Sequence, residues 1–363
     1  MKKKFIFRET SVLLVDIITN QIKVGNIEAK RGEIKKGSIC GLTLPNGSKI
    51  DIPIIVVRGI KEGPTLLLTS TEHGIEIQGI EVILKILREE IDPAKLNGTV
   101  IGVPVMNPLA FFTARYRSWV DHQDISRVRA DNPNGSATEI LAHKVWTEVI
   151  NIADIWINMH CNVRKDSLLY TAINTSDPRN KEDNIKLAKA FGYTTIYSDK
   201  PFQEDVLPTS DTHPNSYRNL AAKKGIPYIL VEYIDGRWIS EPSTSTGIRG
   251  TLNVMKTFDM IEGDFERQKV DFPIVDGINR GIGLIRPKKG GLVRFLKKPG
   301  VQINKNEVIA EIYNLYGEVI EKVVMPEDGY IWAYPCGEFD DTPGQLQVVN
   351  SGCGLAYAFI NEK

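Results

Sequence analysis

The fold is decided by the stretch PTLLLTSTEHGIEIQGIEVILKI, which spans residues 64–86. Its first seven residues form a largely apolar run that is typical of a buried strand. Beyond Glu76 the apolar side chains recur at the spacing of a helix packed on a sheet: Ile77, Ile80, Val82, Ile83 and Ile86. His73 and Glu76 thus lie on a strand-to-helix turn, where open α/β sheets present chemical groups. Three residues apart, they can face one metal ion, although a capping glutamate beside a surface histidine gives the same pattern.

A second histidine ends another apolar strand pattern. His160 closes the run over residues 151–159, and a polar, loop-like stretch follows at 161–166. Two strands therefore deliver imidazoles to the same edge of one sheet. Two histidines and one glutamate with a fourth position open form the ligand set of a hydrolytic zinc centre, which lowers the pKa of bound water to about 7. Taken alone, His160 would fit a structural histidine at a strand end.

A carboxylate marks a third strand end. Glu232 follows the apolar residues 229–231, a place where glutamate is disfavoured unless it has a partner. Beside an acidified water, Glu232 could accept a proton and pass it to a leaving nitrogen. An ion pair with a nearby arginine or lysine would explain this residue equally well.

With these strand ends in place, the chain resembles the succinylglutamate desuccinylase/aspartoacylase family, a branch of the zinc carboxypeptidase superfamily. The resemblance covers about residues 50–260 and rests on five motifs. They are H-G-x-E-x-x-G at 73–79, a strand ending in Asn-Pro at 103–108, arginines followed by a D-L-N-R-like segment at 124–127, a strand ending in histidine at 157–160, and G-I-P…E over 225–232. Five motifs in the right order are far more specific than any one.

The resemblance implies one Zn²⁺ per chain, bound by His73, Glu76 and His160, with Glu232 as general base. It also implies that an arginine polarises the scissile carbonyl and stabilises the oxyanion, a role worth about 3 kcal/mol in comparable sites. The candidates are Arg115 and Arg117, which the sequence does not separate.

Four further residues are expected to contact substrate: Asn107, Ser126, Arg127 and Arg218. Ser126 stands where the family usually has asparagine, and a hydroxyl offers one donor where an amide offers two. The resemblance therefore does not fix the amino-acid end of the substrate. Arg218 matches the family only loosely, and an exposed helical arginine is the alternative.

Composition restricts the classes of partner. The chain has 363 residues, with 45 basic and 45 acidic side chains, so neither a nucleic acid nor a membrane partner is expected. A small anionic substrate fits better, and a homo-oligomer is possible.

The basic N-terminal residues are not followed by the apolar core of a signal peptide, so a cytoplasmic location is expected. The four cysteines, at positions 40, 161, 336 and 353, lack the spacing of a zinc knuckle or a disulfide framework, and Cys161 is expected to be a buried structural thiol.

Three regions are predicted along the chain. Residues 1–50, including an apolar run at 11–15, form an N-terminal β segment that joins the central sheet. Residues 51–265 form an α/β catalytic domain with a mixed, largely parallel sheet flanked by helices, and helical patterns cover 80–90, 137–150, 185–191 and 217–224. Residues 270–363 form an all-β domain resembling the barrel-sandwich of biotinyl and lipoyl modules. Residues 297–300 do not match a carrier hairpin, so this domain is expected to serve as scaffold, oligomer contact or active-site wall.

The sequence therefore predicts a zinc-dependent hydrolase that removes an acyl group from an N-acyl amino acid or a related small amide. One alternative is a metallocarboxypeptidase acting on short peptides. The other is a non-catalytic small-molecule-binding protein that keeps the same scaffold.

Overall fold

The structure is a computed structural model that describes residues 21–162, 167–175, 177–198, 213–234, 237–271, 273–334 and 347–361. The predicted apolar run at 11–15 and Cys336 lie outside these residues.

Five strands precede the first helix, strands and helices are then interspersed up to residue 257, and the elements described beyond that residue are strands. The strands are β1 (Gln21–Val24), β2 (Ile27–Lys30), β3 (Ile34–Thr43), β4 (Lys49–Arg58), β5 (Lys61–Ser70), β6 (Asn97–Val103), β7 (Ile155–Cys161), β8 (Tyr170–Asn174), β9 (Thr194–Ser198), β10 (Tyr228–Tyr233), β11 (Ile278–Ile285), β12 (Gly291–Phe295), β13 (Gln302–Ile303), β14 (Val308–Tyr313), β15 (Val319–Val324), β16 (Gly329–Ala333), β17 (Val348–Val349) and β18 (Ala356–Asn361). The helices are α1 (Gln78–Lys85), α2 (Pro108–Phe111), α3 (Ala137–Glu148), α4 (Pro178–Phe191), α5 (Tyr217–Lys224) and α6 (Glu241–Thr257).

One large sheet organises the molecule. Its strand order is β13-β16-β18-β11-β9-β8-β10-β7-β5-β6-β4-β3. From β11 to β6 all neighbours are parallel except β8 and β10, which are antiparallel. The predicted α/β fold with a mixed, largely parallel sheet is therefore confirmed.

Helices cover both faces of this sheet, and consecutive residues of β5 show why. Leu66 and Leu68 belong to one buried cluster with α1, α4 and α6, whereas Leu67 belongs to a second cluster with α3 and α5. Because side chains alternate across a strand, a sheet covered on both sides needs apolar residues at every position. The unbroken apolar run of β5 is therefore a consequence of the two helical layers.

Helix α4 begins earlier than the periodicity predicted. It starts at Pro178 instead of residue 185. The side chain of Asp177 accepts a hydrogen bond from the Arg179 backbone N–H, and proline suits the first helical position. The first turns are polar, so their helical state comes from this cap and not from an apolar stripe.

The C-terminal strands form two sheets. Strands β12, β14, β15 and β17 make a separate four-stranded antiparallel sheet, as the all-β pattern predicted. Strands β11, β18, β16 and β13 instead extend the large sheet, because β11 pairs in parallel with β9 at Asn279 and Ile196. The sheet is thus continuous across the predicted boundary near residue 270. The domain limits themselves stay predictions.

Candidate active site

The turn after β5 holds the first group of functional side chains. Thr71 has a φ of 56°, a left-handed conformation that a β-branched residue rarely adopts. Asn107 supports the turn, because its backbone N–H donates to the Thr71 carbonyl at 3.1 Å and its side-chain amide donates to the Glu72 carbonyl at 3.0 Å. Gly74 passes so close to Ala110 that an added Cβ would collide with that residue's backbone. The turn therefore has one well-defined conformation, and it directs the side chains that follow.

The three predicted metal ligands, His73, Glu76 and His160, lie close together and are called the metal group below. His73 Nδ1 lies 2.8 Å from Glu76 Oε1, and His160 Nδ1 lies 2.8 Å from Glu76 Oε2. One ligand atom from each residue lies within 4.8 Å of the others, and all three side chains are buried. Two imidazole nitrogens and one carboxylate are a donor set that suits Zn²⁺ with a position left for water. The residues therefore fit the predicted ion.

Each imidazole has a carboxylate behind it. His73 Nε2 lies 3.5 Å from Asp124 Oδ1, and His160 Nε2 lies 3.4 Å from Glu72 Oε2. A carboxylate on this side favours a proton on Nε2 and leaves the Nδ1 lone pair free for an ion. Glu72 and Asp124 also form a second possible ligand group with His73. Because both carboxylates already bind arginines, as described next, the group with Glu76 is the better metal site.

Two of the predicted substrate contacts hold Asp124. Ser126 donates to Asp124 Oδ1 from its backbone N–H at 2.9 Å and from its hydroxyl at 2.7 Å. Arg127 Nε lies 3.2 Å from Asp124 Oδ2. Ser126 also lines the pocket beside His73, so it lies near both the metal group and any bound molecule.

Arg218 and Asn107 lie deeper than predicted. Arg218 is buried and forms an ion pair with Glu72, so the alternative of an exposed helical arginine is wrong. Asn107 is fully buried, and its side chain bonds to the backbone of Glu72 and Ala110. Arg218 lines the pocket, but Asn107 is not among the described residues that do.

Opposite charges dominate the electrostatics of the metal group. Burial opposes charge on His73, but attraction by Glu76 and then by Asp124 raises the pKa of His73 to about 10. Burial likewise opposes charge on His160, yet Glu72 and Glu76 raise its pKa to about 9. Burial also opposes ionisation of Glu76, and the two imidazoles still lower its pKa to about 2. The buried carboxylates therefore favour positive charge between them, which protons or a divalent cation can supply.

An open pocket lies beside the metal group. Strand β10 contributes alternate residues to it: Tyr228, Leu230 and Glu232 line the pocket, whereas the intervening residues are buried in the core. Glu232 lies directly beside His160 in the parallel pairing of β10 with β7. The predicted base and the three predicted ligands thus line one pocket.

The two candidate oxyanion arginines are placed differently. Arg115 is exposed and Arg117 is half-buried, and neither is among the described residues that line the pocket. Tyr116 between them does line it. Its ring stacks on His73, with centroids 3.6 Å apart and planes inclined by 14°. A role of Arg115 or Arg117 in binding the substrate carbonyl therefore stays a prediction.

Comparison with known proteins agrees with this geometry. Residues 62–220 match the sequence model of the succinylglutamate desuccinylase/aspartoacylase catalytic domain. Over this stretch, which is somewhat under half of its length, the chain resembles that family. The match includes the three metal-ligand candidates and ends before Glu232.

A curated relative of this chain is the N-alpha-acetyl-L-2,4-diaminobutyric acid deacetylase of Halomonas elongata. It is 28% identical over 268 residues, which cover 73% of this chain and 74% of the relative.

Solved structures show the same fold over almost the whole chain. A succinylglutamate desuccinylase/aspartoacylase from Rhodobacter sphaeroides has a TM-score of 0.77 at 23% identity, covering 94% of this chain and 99% of that one. The ectoine utilization protein EutE (DoeB) from Ruegeria pomeroyi, with product bound, has a TM-score of 0.73 at 18% identity, covering 92% and 98%. The shared fold therefore includes the C-terminal strands.

Sequence reasoning missed four side chains near the metal group: Glu72, Tyr116, Asp124 and Asn158. Glu72 directly precedes the predicted ligand His73, and Asp124 opens the segment 124–127, so an acidic residue at each of these places was the available signal. Tyr116 had no signal beyond its place between two candidate arginines.

Cys161 is buried, as predicted for a structural thiol, and its backbone N–H donates to Glu76 at 3.4 Å. Within the described ranges, no helix combines the length and the apolar character that crossing a membrane requires.

Proposed function

We propose that the protein is a zinc-dependent hydrolase that removes a short acyl group from an N-acylated amino acid. The observation that carries this proposal is the convergence of His73, Glu76 and His160 in one pocket with Glu232. The match of residues 62–220 to the desuccinylase/aspartoacylase catalytic domain and the 28% identical deacetylase support it.

The roles follow from the positions of the side chains. A divalent cation bound by His73, Glu76 and His160 would acidify a water and polarise the scissile carbonyl. Glu232 accepts a proton at its carboxylate and delivers it to the leaving nitrogen, because it lines the pocket beside His160. Asp124 holds the His73 ring in the orientation that presents Nδ1.

The charge of the pocket wall bears on the acyl group. Arg127 and Arg218 are both paired with carboxylates of the protein. Apart from Glu232, the pocket residues contributed by β8 and β10 are uncharged: Tyr170, Ala172, Ile173, Asn174, Tyr228 and Leu230. A carboxylate placed there would lose hydration, and Arg218, the arginine that lines the described part of the pocket, is already paired with Glu72. We therefore favour an uncharged acyl group such as acetyl over succinyl, with the α-carboxylate keeping the substrate anionic.

A substrate panel tests the proposal. The zinc-loaded protein is expected to hydrolyse N-acetyl amino acids, among them N-acetyl-2,4-diaminobutyrate, faster than N-succinyl derivatives. If dipeptides with a free C-terminus were hydrolysed faster than N-acetyl amino acids, the protein would be a carboxypeptidase and not a deacylase. Absence of bound zinc, together with absence of turnover on every substrate, would favour the binding protein.

The base is tested separately. Glu232→Gln is expected to keep the metal and to lose about 10²- to 10⁴-fold in turnover, the usual contribution of a positioned base. Glu90→Gln, at an exposed position, is the matched control and should behave as the parent protein. Undiminished turnover in Glu232→Gln would refute the assignment.

A further inference from the structure

We propose that Glu72 and Arg218 form a buried positioning pair that orients His160 for metal binding, so that Arg218 serves the protein and does not bind a substrate carboxylate. This inference rests on the proposed function, because it concerns the ligand His160 of the same metal group.

Glu72 makes the contacts that such a role requires. Its side chain is fully buried, and Arg218 donates to its Oε1. Its Oε2 accepts a hydrogen bond from Asn158 Nδ2 at 2.8 Å and lies 3.4 Å from His160 Nε2. The backbone carbonyl of Glu72 is held by Asn107. Backbone and side chain are therefore both fixed.

The neighbours of His160 make Glu72 the acceptor for its ring proton. When Nδ1 binds an ion, Nε2 carries the proton and needs an acceptor. Thr69 donates to Asn158 Oδ1 at 2.7 Å, which turns the donor Nδ2 of that amide towards His160 Nε2, 2.9 Å away. Arg218 lies 3.3 Å from the same nitrogen and also offers only donors. Among the contacts described for Nε2, Glu72 is thus the one that can accept.

Arg218 supplies the counter-charge of Glu72. A buried carboxylate without a partner is costly, and the buried guanidinium of Arg218 pairs with Glu72 where that carboxylate stands behind His160. Arg218 is itself held in the first turn of α5, whose N-terminus is capped by Ser216.

The two histidines share this arrangement. Asp124 stands behind His73 and is paired with Arg127, as Glu72 stands behind His160 and is paired with Arg218. Each histidine is therefore next to a carboxylate that is paired with an arginine. The same arrangement at both histidines supports the same positioning role for Glu72 and Arg218.

The test measures zinc affinity by competition with a chromophoric chelator, together with the visible spectrum of the Co²⁺-substituted protein. Glu72→Asp keeps the counter-charge of Arg218 but withdraws the acceptor from His160. It is expected to lower zinc affinity about 10- to 100-fold, the usual loss on removing an outer partner of a metal ligand, and to shift the Co²⁺ bands. Asp121→Asn, which removes a half-buried carboxylate bound to Thr138, is the control for general destabilisation and should change neither readout.

Glu72→Gln leaves Arg218 buried without a counter-charge and is expected to be destabilised. The double variant Glu72→Gln/Arg218→Gln removes both charges and keeps an acceptor oxygen at position 72. It is expected to fold and to bind zinc better than Glu72→Gln does. Equal zinc affinity in Glu72→Asp and the parent, with unchanged Co²⁺ bands, would overturn the positioning role.

The role of Arg218 is tested by kinetics at saturating zinc. Arg218→Lys keeps the charge but loses the planar fork, so a positioning role predicts an unchanged KM and a lower zinc affinity. A raised KM for anionic substrates with unchanged zinc affinity would instead make Arg218 a substrate contact. If the parent protein itself bound no zinc, the proposed function would fail, which is a separate result from failure of this pair.

Discussion

The metal group has two halves, one at His73 and one at His160. The halves have similar chemistry but different surroundings. His73 and His160 both present Nδ1 to Glu76 at 2.8 Å. The ion pair behind His73 reaches solvent, since the Arg127 side chain is 26% exposed, whereas the pair behind His160 is internal, with Arg218 at 4% and Glu72 at 0%. The first ion pair therefore reaches solvent, whereas the second is enclosed by the protein, although Arg218 also lines the pocket.

The largest effect is expected at the residue that joins the two halves. Glu76→Ala removes the carboxylate that faces both imidazoles, so the protein should lose stoichiometric zinc and all turnover. The loss of zinc affinity should exceed the about 100-fold that removal of an outer partner costs. Elemental analysis after dialysis measures it, and Glu90→Gln serves as the control. Zinc retained by Glu76→Ala would place the metal elsewhere.

Equivalent changes in the two halves show whether they differ in function. Asp124→Asn and Glu72→Asp should each weaken zinc binding by about 10- to 100-fold. At saturating zinc, Asp124→Asn should also raise KM, because Asp124 anchors Ser126, which lines the pocket. Glu72→Asp should not raise KM, because the shorter carboxylate still provides the counter-charge of Arg218. Chelator competition and steady-state kinetics on both variants decide it, and identical effects on KM would remove the proposed difference.

The pH dependence tests what the two halves share. The pKa values of His73 and His160 are raised from 6.5 to about 10 and about 9. In the metal-free protein, protonated imidazoles therefore contribute stability that is fully present below about pH 6.5 and is lost as the pH rises through 9 to 10. The Tm measured in chelator should fall over that interval, and the zinc-loaded protein should show a smaller fall.

Zinc uptake near pH 8 should accordingly release protons, because ligation needs neutral imidazoles. Titration calorimetry in buffers of different ionisation enthalpy counts them. Zinc binding without proton release would show that the imidazoles are already neutral, against the electrostatic environment described above.

The smallest effect is expected at Tyr116, whose ring stacks on His73. Tyr116→Phe keeps the ring stacked on His73 and should leave Tm and zinc affinity unchanged. Tyr116→Ala should cost about 0.5–1.5 kcal/mol of stacking, read as a lower Tm of the zinc-loaded protein. Equal behaviour of the two variants would mean that the stacking contributes nothing.

The positions of the candidate metal ligands were predictable because each followed an apolar strand. Strands β5, β7 and β10 lie side by side, so residues at their carboxyl ends meet at one edge, and the pairing of Glu232 with His160 follows. The family resemblance then ordered these residues into roles. Hydrophobic pattern and motif order were sufficient for this much.

The supporting pairs were not predictable by the same means. Glu72 precedes His73, but only the left-handed Thr71 and the pairing with Arg218 in α5 direct it towards His160. Likewise the sequence favoured the arginines at 115 and 117, whereas the loop places Tyr116 in the pocket. The pairing of β9 with β11 spans three residues, too few for a recognisable pattern. Such features depend on contacts between distant segments.

The continuity of the large sheet has a practical consequence for protein engineering. Strand β8, which supplies Tyr170 and Asn174 to the pocket, pairs with β9, and β9 in turn pairs with β11. A truncation near residue 270 would strip β9 of its neighbour and leave an open strand edge one strand away from the pocket. Unprotected edges recruit other chains, so the shortened protein should aggregate unless that edge is blocked.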